Sequence, residues 1–227
     1  ALKHKGLTYF YVDMKTPGIE AKPIKQISGS ANFNEVFFND VRIPDSQRIG
    51  AEGDGWKVSL TTLMNERLAV GDPPGLDFDQ IFEASKEIEV EDGLAVKNSE
   101  VRQKMADWYI QSRGLQYTKY RSMTALSKGQ TPGPELSISK LVTASKMQDV
   151  SSYALDLMDM SGMVHQDQNP ILKNLFQSGY FFSAAMRIAG GTDEVLRNII
   201  AERVLGLPQD ERSDKKLPFN QLPSGKN

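Results

Sequence analysis

The stretch AGGTDEVLRNIIAERVLG, residues 189–206, decides the fold of this chain of 227 residues. Gly190 and Gly191 allow the backbone to come very close to a partner. Thr192 is a good N-cap, so the pattern predicts a helix from Glu194 to Leu205. The free N–H groups at a helix start suit a phosphate or a carbonyl oxygen. A corner between two helices explains the same residues without a ligand, and a lone Gly-Gly-Thr favours that simpler interpretation.

Most of the sequence before this stretch has the periodicity of amphipathic helices. An apolar stripe of Trp56, Leu60, Leu63, Met64 and Leu68 predicts a first helix, which Asp72-Pro73-Pro74-Gly75 ends. Four more helices are predicted at Leu76–Ile88, Glu100–Leu126, Glu135–Met160 and Pro170–Ile188. Polar residues at Glu89–Ser99 and Gly129–Pro134 predict loops between them.

The first fifty residues have the composition of strands rather than helices. Aromatic and β-branched residues predict strands at Leu7–Met14, Glu20–Ile24 and Asn32–Val41. Successive side chains of a strand point to opposite faces, and both faces of the third strand carry apolar residues. This pattern predicts that other elements cover both faces of the strand. Strands followed by helices predict an α+β fold.

Three segments follow from the change in composition near Gly50. Residues 1–50 are predicted to form strands, residues 51–207 a helical bundle, and residues 208–227 an extended tail. The chain has no internal repeat.

The composition excludes several classes of function. Lys and Arg total 27 against 29 Asp and Glu, so the chain has no basic footprint for nucleic acid. No apolar stretch is long enough to span a bilayer, so we expect no membrane insertion. The chain has no cysteine, and its only histidines are His4 and His165. This composition argues against a metal site built from several histidines or cysteines. The lack of cysteine and of a signal-peptide pattern leads us to expect a cytoplasmic protein.

A carboxylate and a guanidinium lie side by side in the predicted first helix. Arg67 falls inside the apolar stripe, where a buried guanidinium needs an anion or hydrogen-bond acceptors. Glu66 falls on the border of the stripe, where partial burial would strengthen it as a base. From these residues alone, a structural ion pair between two helices is the favoured explanation.

Two apolar groups suggest contacts between helices. Leu157–Met163 is rich in methionine, and Tyr180, Phe181 and Phe182 are consecutive aromatics. Such surfaces serve equally well as the core of one chain or as an interface between subunits.

Four blocks resemble one family in their order along the chain. Residues 190–206 resemble the C-terminal signature of acyl-CoA dehydrogenases. Lys3–Thr8 and Phe33–Phe38 resemble strands of that family's β-domain, and Gly53–Trp56 resembles the entrance to its C-terminal four-helix bundle. The resemblance implies that the chain holds part of a β-domain followed by this bundle, as the C-terminal part of a longer protein or one piece of a split one.

The resemblance also implies an activity. Family members use FAD to dehydrogenate an acyl-CoA thioester and pass the electrons to an electron-transfer flavoprotein. Many members place the catalytic base just before the Gly-Thr of the signature, but Gly190 has no side chain there. Other members place it in a Glu-Arg pair on the first bundle helix, which corresponds to Glu66-Arg67. Glu66 is then the expected base, and Arg67 a weaker candidate for contact with substrate.

The signature implies roles for the turn as well. The backbone N–H of Gly190 corresponds to the donor that stabilises the thioester enolate. Gly191, Thr192 and Glu194 correspond to positions at the flavin. Family members are mostly homotetramers, so a homo-oligomer is expected.

Two departures from the family pattern keep an alternative open. Glu89–Ser99 lacks the Arg-x-x-Phe-Gly motif, and Asp156–Gly162 replaces a Gln followed by a Gly-Gly run. A non-catalytic or partner subunit of a hetero-oligomeric dehydrogenase is therefore the second hypothesis. A related oxidase on the same fold is a third, because a fold does not determine a function.

Overall fold

The computed structural model describes residues 1–2, 4–69, 76–130, 133–134, 136–164, 171–211 and 217–222. The side chains of residues 64–69, 136 and 171–173 lie outside this description. His165 lies outside the described residues. Contacts divide the chain into two compact units, one of residues 1–71 with 210–227 and one of residues 72–209. The predicted boundary near Gly50 precedes the first helix, whereas this division follows it.

Short antiparallel pairs make up the strands of the first unit. Strand β1 (Tyr9–Phe10) pairs with β4 (Arg48–Ile49), and β2 (Ile19–Ile24) pairs with β3 (Phe33–Phe38). The predicted strand Leu7–Met14 was too long, because its partner β4 has only two residues. The second strand was predicted almost as observed.

The prediction that both faces of the third strand are covered was wrong. Every residue of β3 is exposed, including Phe33, Phe37 and Phe38. The physical reason is that β2 and β3 form a sheet of two strands, which has no further strand beside it among the described residues. A two-stranded ribbon cannot bury either of its own faces.

Helix α1 (Gly55–Ala69) begins where its backbone lies close to the segment before β1. The N–H of Gly55 donates to the carbonyl of Leu7 at 2.8 Å, and a Cβ on Gly55 would lie 2.7 Å from the Leu7 carbonyl carbon. Glycine is therefore required at this junction. Trp56 stacks on His4 with ring centroids 4.4 Å apart, but the described stripe residues Leu60 and Leu63 are exposed.

The second unit is helical. Its elements are α2 (Phe78–Ser85), β5 (Glu89–Val90), β6 (Gly93–Leu94), α3 (Ser99–Ser127), α4 (Leu136–Leu157), α5 (Met160–Met163), α6 (Ile171–Met186) and α7 (Asp193–Ile199). Strands followed by a helical C-terminal region confirm the predicted α+β fold class.

Three of the predicted elements in this unit need correction. The predicted loop Glu89–Ser99 holds the β5–β6 hairpin and a 3-10 turn, Ala95–Lys97, whose Ala95 is fully buried. Helix α4 ends at Leu157, before Asp159, whose φ of 48° is incompatible with a continuing right-handed helix. The last predicted helix changes after Ile199 into a π-helical turn, Ile200–Val204.

Helix α4 lies at the centre of the core. Its Ala144, Met147, Val150 and Ala154 recur every three or four residues and are all buried, which is the spacing of one helix face. The core cluster also contains Trp108 of α3 and Phe176 of α6. The Trp108 indole N–H donates to an Asp149 carboxylate oxygen at 2.8 Å. This bond satisfies the polar atom of the buried ring.

A buried lysine joins three of these helices. Lys146 of α4 is 2% exposed in its side chain, and its Nζ donates to Asp77 Oδ1 at 2.7 Å and to Ser112 Oγ at 2.8 Å. Ser112 in turn hydrogen-bonds Asp77. Asp77 also caps α2, accepting the N–H of Phe78 while Gln80 accepts the N–H of Asp77. These bonds hold the start of α2 against α3 and α4.

The ion pair between Asp77 and Lys146 should make the free energy of unfolding of the helical unit depend on pH. Burial raises the pKa of Asp77, but hydrogen bonds from Lys146, Ser112 and Phe78 outweigh it, so the pKa lies below its ordinary value of 3.8. The ionised carboxyl therefore stabilises the fold above pH 3.8, and this contribution is lost as the pH falls through the lower folded value. We expect Asp77→Asn to cost about 2 kcal/mol at pH 7 and clearly less at pH 3.

Urea unfolding at the two pH values measures this difference. Asp107→Asn, at an exposed position of α3, is the control and should change the midpoint little at either pH. An equal loss of stability for Asp77→Asn at pH 7 and pH 3 would show that the ion pair does not stabilise this unit.

Within the described part of the chain, no helix combines the length and apolar character needed to cross a membrane. In the same residues, no group of three or more His, Cys, Asp and Glu side chains is arranged to hold a metal ion.

Candidate active site

The Gly-Gly-Thr segment forms a tight turn between α6 and α7. Gly190 has a φ of 65° and Gly191 a φ of 108°. Side chains are strained in this region of backbone conformation. The N–H of Asp193 closes the turn by donating to the Arg187 carbonyl at 3.2 Å. Thr192 is the N-cap, and its Oγ1 accepts the N–H of Val195 at 3.3 Å. The predicted cap is confirmed, with the helix starting one residue earlier than expected.

Charged side chains form hydrogen bonds and ion pairs at the start of α7. Arg187 Nε and Nη2 both donate to Asp193 Oδ2 at 2.7 Å. Such charge-assisted bonds from the planar guanidinium fork are stronger than neutral ones. Arg187 Nη1 donates to Gln148 Oε1 of α4 at 2.8 Å. Asp193 is buried, and a buried carboxylate requires such partners.

A lysine from α4 reaches the turn itself. Lys140 Nζ donates to the carbonyl oxygen of Gly191 at 2.7 Å and lies 3.9 Å from Asp193 Oδ1. That oxygen of Asp193 has no hydrogen-bond partner among the described residues. The turn is thus attached to α4 by both Lys140 and the Arg187–Gln148 contact.

The Glu194 carboxylate adds a negative charge at this helix start. Its pKa is lowered, first by the hydrogen bond from its own backbone N–H and second by one from the Thr192 hydroxyl. The side chain is exposed, so the charge is directed to solvent or to a ligand. The Thr192 hydroxyl is already used by Glu194 and Val195, which leaves the backbone as the open part of the turn.

The backbone of Gly190 is open in two respects. Among the described residues, its N–H has no hydrogen-bond acceptor. A Cβ built on Gly190 would meet no heavy atom within 4 Å. A donor of this kind can point at a ligand's carbonyl oxygen, as in an oxyanion hole.

The two predicted groups of site residues lie in different units. Gly190, Gly191, Thr192 and Glu194 are brought together in the turn of the second unit. Glu66 and Arg67 lie near the end of helix α1 in the first unit, and their side chains lie outside the described residues. Their assignment as base and substrate contact stays a prediction.

Sequence reasoning missed the residues that support the turn. Lys140, Gln148, Arg187 and Asp193 carry the charge and hydrogen bonds around it. The only local signal was Asp193 directly after an N-cap, where acidic residues are favoured. Lys140 gave no signal, because its partner is a backbone carbonyl 51 residues away.

The candidate interface residues are exposed in this chain. Met160 and Met163 are among its most exposed apolar side chains, and Tyr180, Phe181 and Phe182 are all exposed. Met158, in contrast, packs against the core. The exposed members do not form a core within this chain, and their role in an interface stays a prediction.

A family model described as "Acyl-CoA dehydrogenase, C-terminal domain" matches residues 53–205. The chain belongs to the acyl-CoA dehydrogenase family. The match covers α1, the helical unit and the Gly-Gly-Thr turn, and confirms the resemblance found in the sequence.

Curated relatives support the same family. Acyl-CoA dehydrogenase FadE34 of Mycobacterium tuberculosis is 33% identical over 211 residues, which are 92% of this chain and 28% of that protein. Acyl-CoA dehydrogenase IpdE1 of the same organism is 34% identical over 211 residues, 92% of this chain and 53% of that protein. The chain thus spans about half or less of the length of these relatives.

Solved structures share the fold. The ChsE4-ChsE5 complex from M. tuberculosis superposes with a TM-score of 0.77 at 22% identity, covering 92% of this chain and 55% of that chain. A structure titled "Tcur3481-Tcur3483 steroid ACAD" has a TM-score of 0.75 at 19% identity, covering 92% and 54%.

The described residues fit one edge of a flavin, the cofactor of the family. Glu194 is exposed in the first turn of α7, and Thr192 lies at the N-cap of that helix. Gly191 precedes them and has no side chain to obstruct a ring. These residues would hold the cofactor at this edge.

Proposed function

We propose that the protein to which this chain belongs is an FAD-dependent acyl-CoA dehydrogenase. The observation that carries the proposal is the turn at Gly190, whose N–H has no acceptor among the described residues and whose backbone is open to a ligand. Membership of the family supports the reaction class, the α,β-dehydrogenation of an acyl-CoA thioester.

Each candidate site residue has one role in the proposed reaction. Gly190 donates its N–H to the thioester carbonyl, which lowers the pKa of the α-proton and stabilises the developing enolate. Glu66 takes that proton, since Gly190 has no side chain to do so. Arg67, its neighbour, contacts the substrate. Gly191, Thr192 and Glu194 contact the flavin.

The hydride that leaves the β-carbon would pass to bound FAD, held by Gly191, Thr192 and Glu194, and an electron-transfer flavoprotein would take up the two electrons. The product is the 2-enoyl thioester, so the substrate has lost one proton and one hydride. The attachment of the turn to α4 keeps the Gly190 donor oriented while the charge develops.

The visible spectrum of the purified full-length protein tests this function. We expect flavin absorption that bleaches on anaerobic addition of one acyl-CoA from a panel of straight-chain, branched and steroid side-chain thioesters. The steroid member is included because one structural neighbour carries that word in its title. A flavin that no thioester bleaches would contradict the proposal.

A partner subunit is the second candidate function. Two features favour it: the missing Arg-x-x-Phe-Gly motif in Glu89–Ser99, and a structural neighbour titled as a complex of two differently named chains. It predicts a stable complex with a different dehydrogenase chain. Mass photometry of the full-length protein that shows only homo-oligomers, each with bound flavin, would count against it.

The first proposal also includes a cytoplasmic location and assembly into a homo-oligomer. The exposed Met160, Met163 and Phe181 are apolar surface that a second copy would cover. The same mass photometry measures this state directly.

A further inference from the structure

The Gly190–Thr192 turn depends on a contact that comes from a distant helix. Lys140 reaches it from α4 and donates to the Gly191 carbonyl at 2.7 Å. The lysine side chain is mostly buried, so this bond is shielded from water and is charge-assisted.

The turn itself has little to hold its shape. Gly190 and Gly191 both have positive φ, and glycine loses more conformational freedom on ordering than any other residue. Among the described residues, the backbone hydrogen bond across the turn joins its ends, from the Asp193 N–H to the Arg187 carbonyl at 3.2 Å. The Gly191 carbonyl lies between those ends, so the bond from Lys140 fixes the middle of the turn.

Fixing this carbonyl also fixes its neighbours. The Gly191 carbonyl is separated from the Gly190 N–H by only a few bonds, and rotation about them turns the N–H away. Because Arg187 and Asp193 hold the ends of the turn, a fixed Gly191 carbonyl restricts the directions that the Gly190 N–H can take.

We propose that Lys140 is a positioning residue, which holds the Gly191 carbonyl so that the Gly190 N–H points at the thioester carbonyl of bound acyl-CoA. This inference rests on the proposed function. Lys140 touches neither substrate nor flavin in it, and acts through the turn.

Opposing effects act on the charge of Lys140. Burial lowers the pKa of Lys140, and the Asp193 carboxylate opposes part of that effect. Asp193 Oδ1, at 3.9 Å, has no other polar partner among the described residues. The carboxylate therefore serves as the counter-ion of the lysine while its second oxygen is held by Arg187.

Lys140→Met in the full-length protein tests the inference, because methionine keeps the length of the side chain and removes the donor. We expect flavin reduction to slow about 10- to 100-fold, since small displacements of a positioned group have effects of that size. Flavin content should stay at the wild-type level. Lys86→Met is the matched control, because Lys86 forms an exposed ion pair with Glu83 at the end of α2.

Two readouts do not depend on turnover. The first is the infrared carbonyl stretch of the 2-enoyl-CoA product, labelled with ¹³C at the thioester carbon and bound to the oxidised protein. A hydrogen bond lowers this frequency, so we expect a lowered value in wild type and Lys86→Met, and a shift back toward the free value in Lys140→Met. The second is hydrogen exchange of residues 187–192 without substrate, which should become faster only in Lys140→Met.

Different results overturn different claims. A wild-type protein that fails to lower the carbonyl frequency, or whose flavin no thioester reduces, overturns the proposed function. Suppose instead that the wild-type protein lowers the carbonyl frequency and that a thioester reduces its flavin. A Lys140→Met variant with the same carbonyl frequency and the same hydrogen exchange as wild type then overturns only the positioning role of Lys140.

A conservative variant separates positioning from general stability. Lys140→Arg keeps a cationic donor and should restore most of the lowered carbonyl frequency. Should Lys140→Met fail to fold, Lys140→Gln takes its place, judged by the same two readouts. A Lys140→Arg variant that behaves like the variant lacking the cation would contradict the inference.

Discussion

Replacing Glu66 by glutamine in the full-length protein is expected to slow flavin reduction by an acyl-CoA by about 10²- to 10⁴-fold. Glutamine has nearly the shape of glutamate but cannot accept the α-proton, and a positioned general base contributes a factor of this size. Rapid-mixing absorbance of the flavin under anaerobic conditions measures the rate. Substrate binding should change far less, because the carboxylate acts chiefly in the transition state.

Two further variants make the Glu66 result specific. Glu66→Asp keeps a carboxylate on a shorter side chain and should retain part of the rate. Glu52→Gln removes an exposed carboxylate just before α1 and should leave the rate unchanged. If Glu66→Gln reduces the flavin as fast as wild type, Glu66 is not the base.

Truncating Phe176 to alanine is expected to lower the free energy of unfolding of the helical unit by about 3–5 kcal/mol. Phe176 of α6 is 0% exposed and belongs to the same core cluster as Trp108 and Val150. Alanine would leave a cavity in the middle of the packing that holds α6, and so the turn that follows it, against α4. Chemical unfolding followed by tryptophan fluorescence measures the loss.

Phe219→Ala is the matched control for that variant. It makes the same chemical change at a side chain that is 77% exposed. Substitutions at such surface positions usually shift stability by less than about 0.5 kcal/mol. Similar losses for the two variants would mean that Phe176 does not anchor the core.

Local signals made several elements predictable from the sequence. Helix α3 was expected at Glu100–Leu126 and spans Ser99–Ser127, because its periodicity is long and Asn98 caps it by accepting two backbone N–H groups. The turn at Gly190 was predictable for a similar reason, since glycines and an N-cap threonine are short-range signals.

Features that depend on tertiary contacts were not predictable in this way. The β5–β6 hairpin and the following turn are fixed by the burial of Ala95, whose N–H donates to the carbonyl of Ile88 at 2.8 Å. A polar composition alone indicated a loop there. The exposed faces of β3 were missed because the pattern reports where apolar residues lie and not whether another element covers them.

The candidate site shows the same division. Its backbone donor lies in a recognisable motif, whereas Lys140 and Gln148 come from a helix about forty to fifty residues earlier. Polar residues within an amphipathic helix usually face solvent, and only the folded chain shows that Lys140 meets the turn and that Gln148 meets Arg187.

We propose that the N–H of Gly190 binds the thioester oxygen and that Glu66 is the base that takes the α-proton. A crystal structure of the full-length protein with FAD and a 2-enoyl-CoA product tests it most directly. We predict the Gly190 N–H within hydrogen-bond distance of the thioester oxygen and the Glu66 carboxylate beside the α-carbon. A thioester bound with its carbonyl away from Gly190, or with another carboxylate at the α-carbon, would contradict the account.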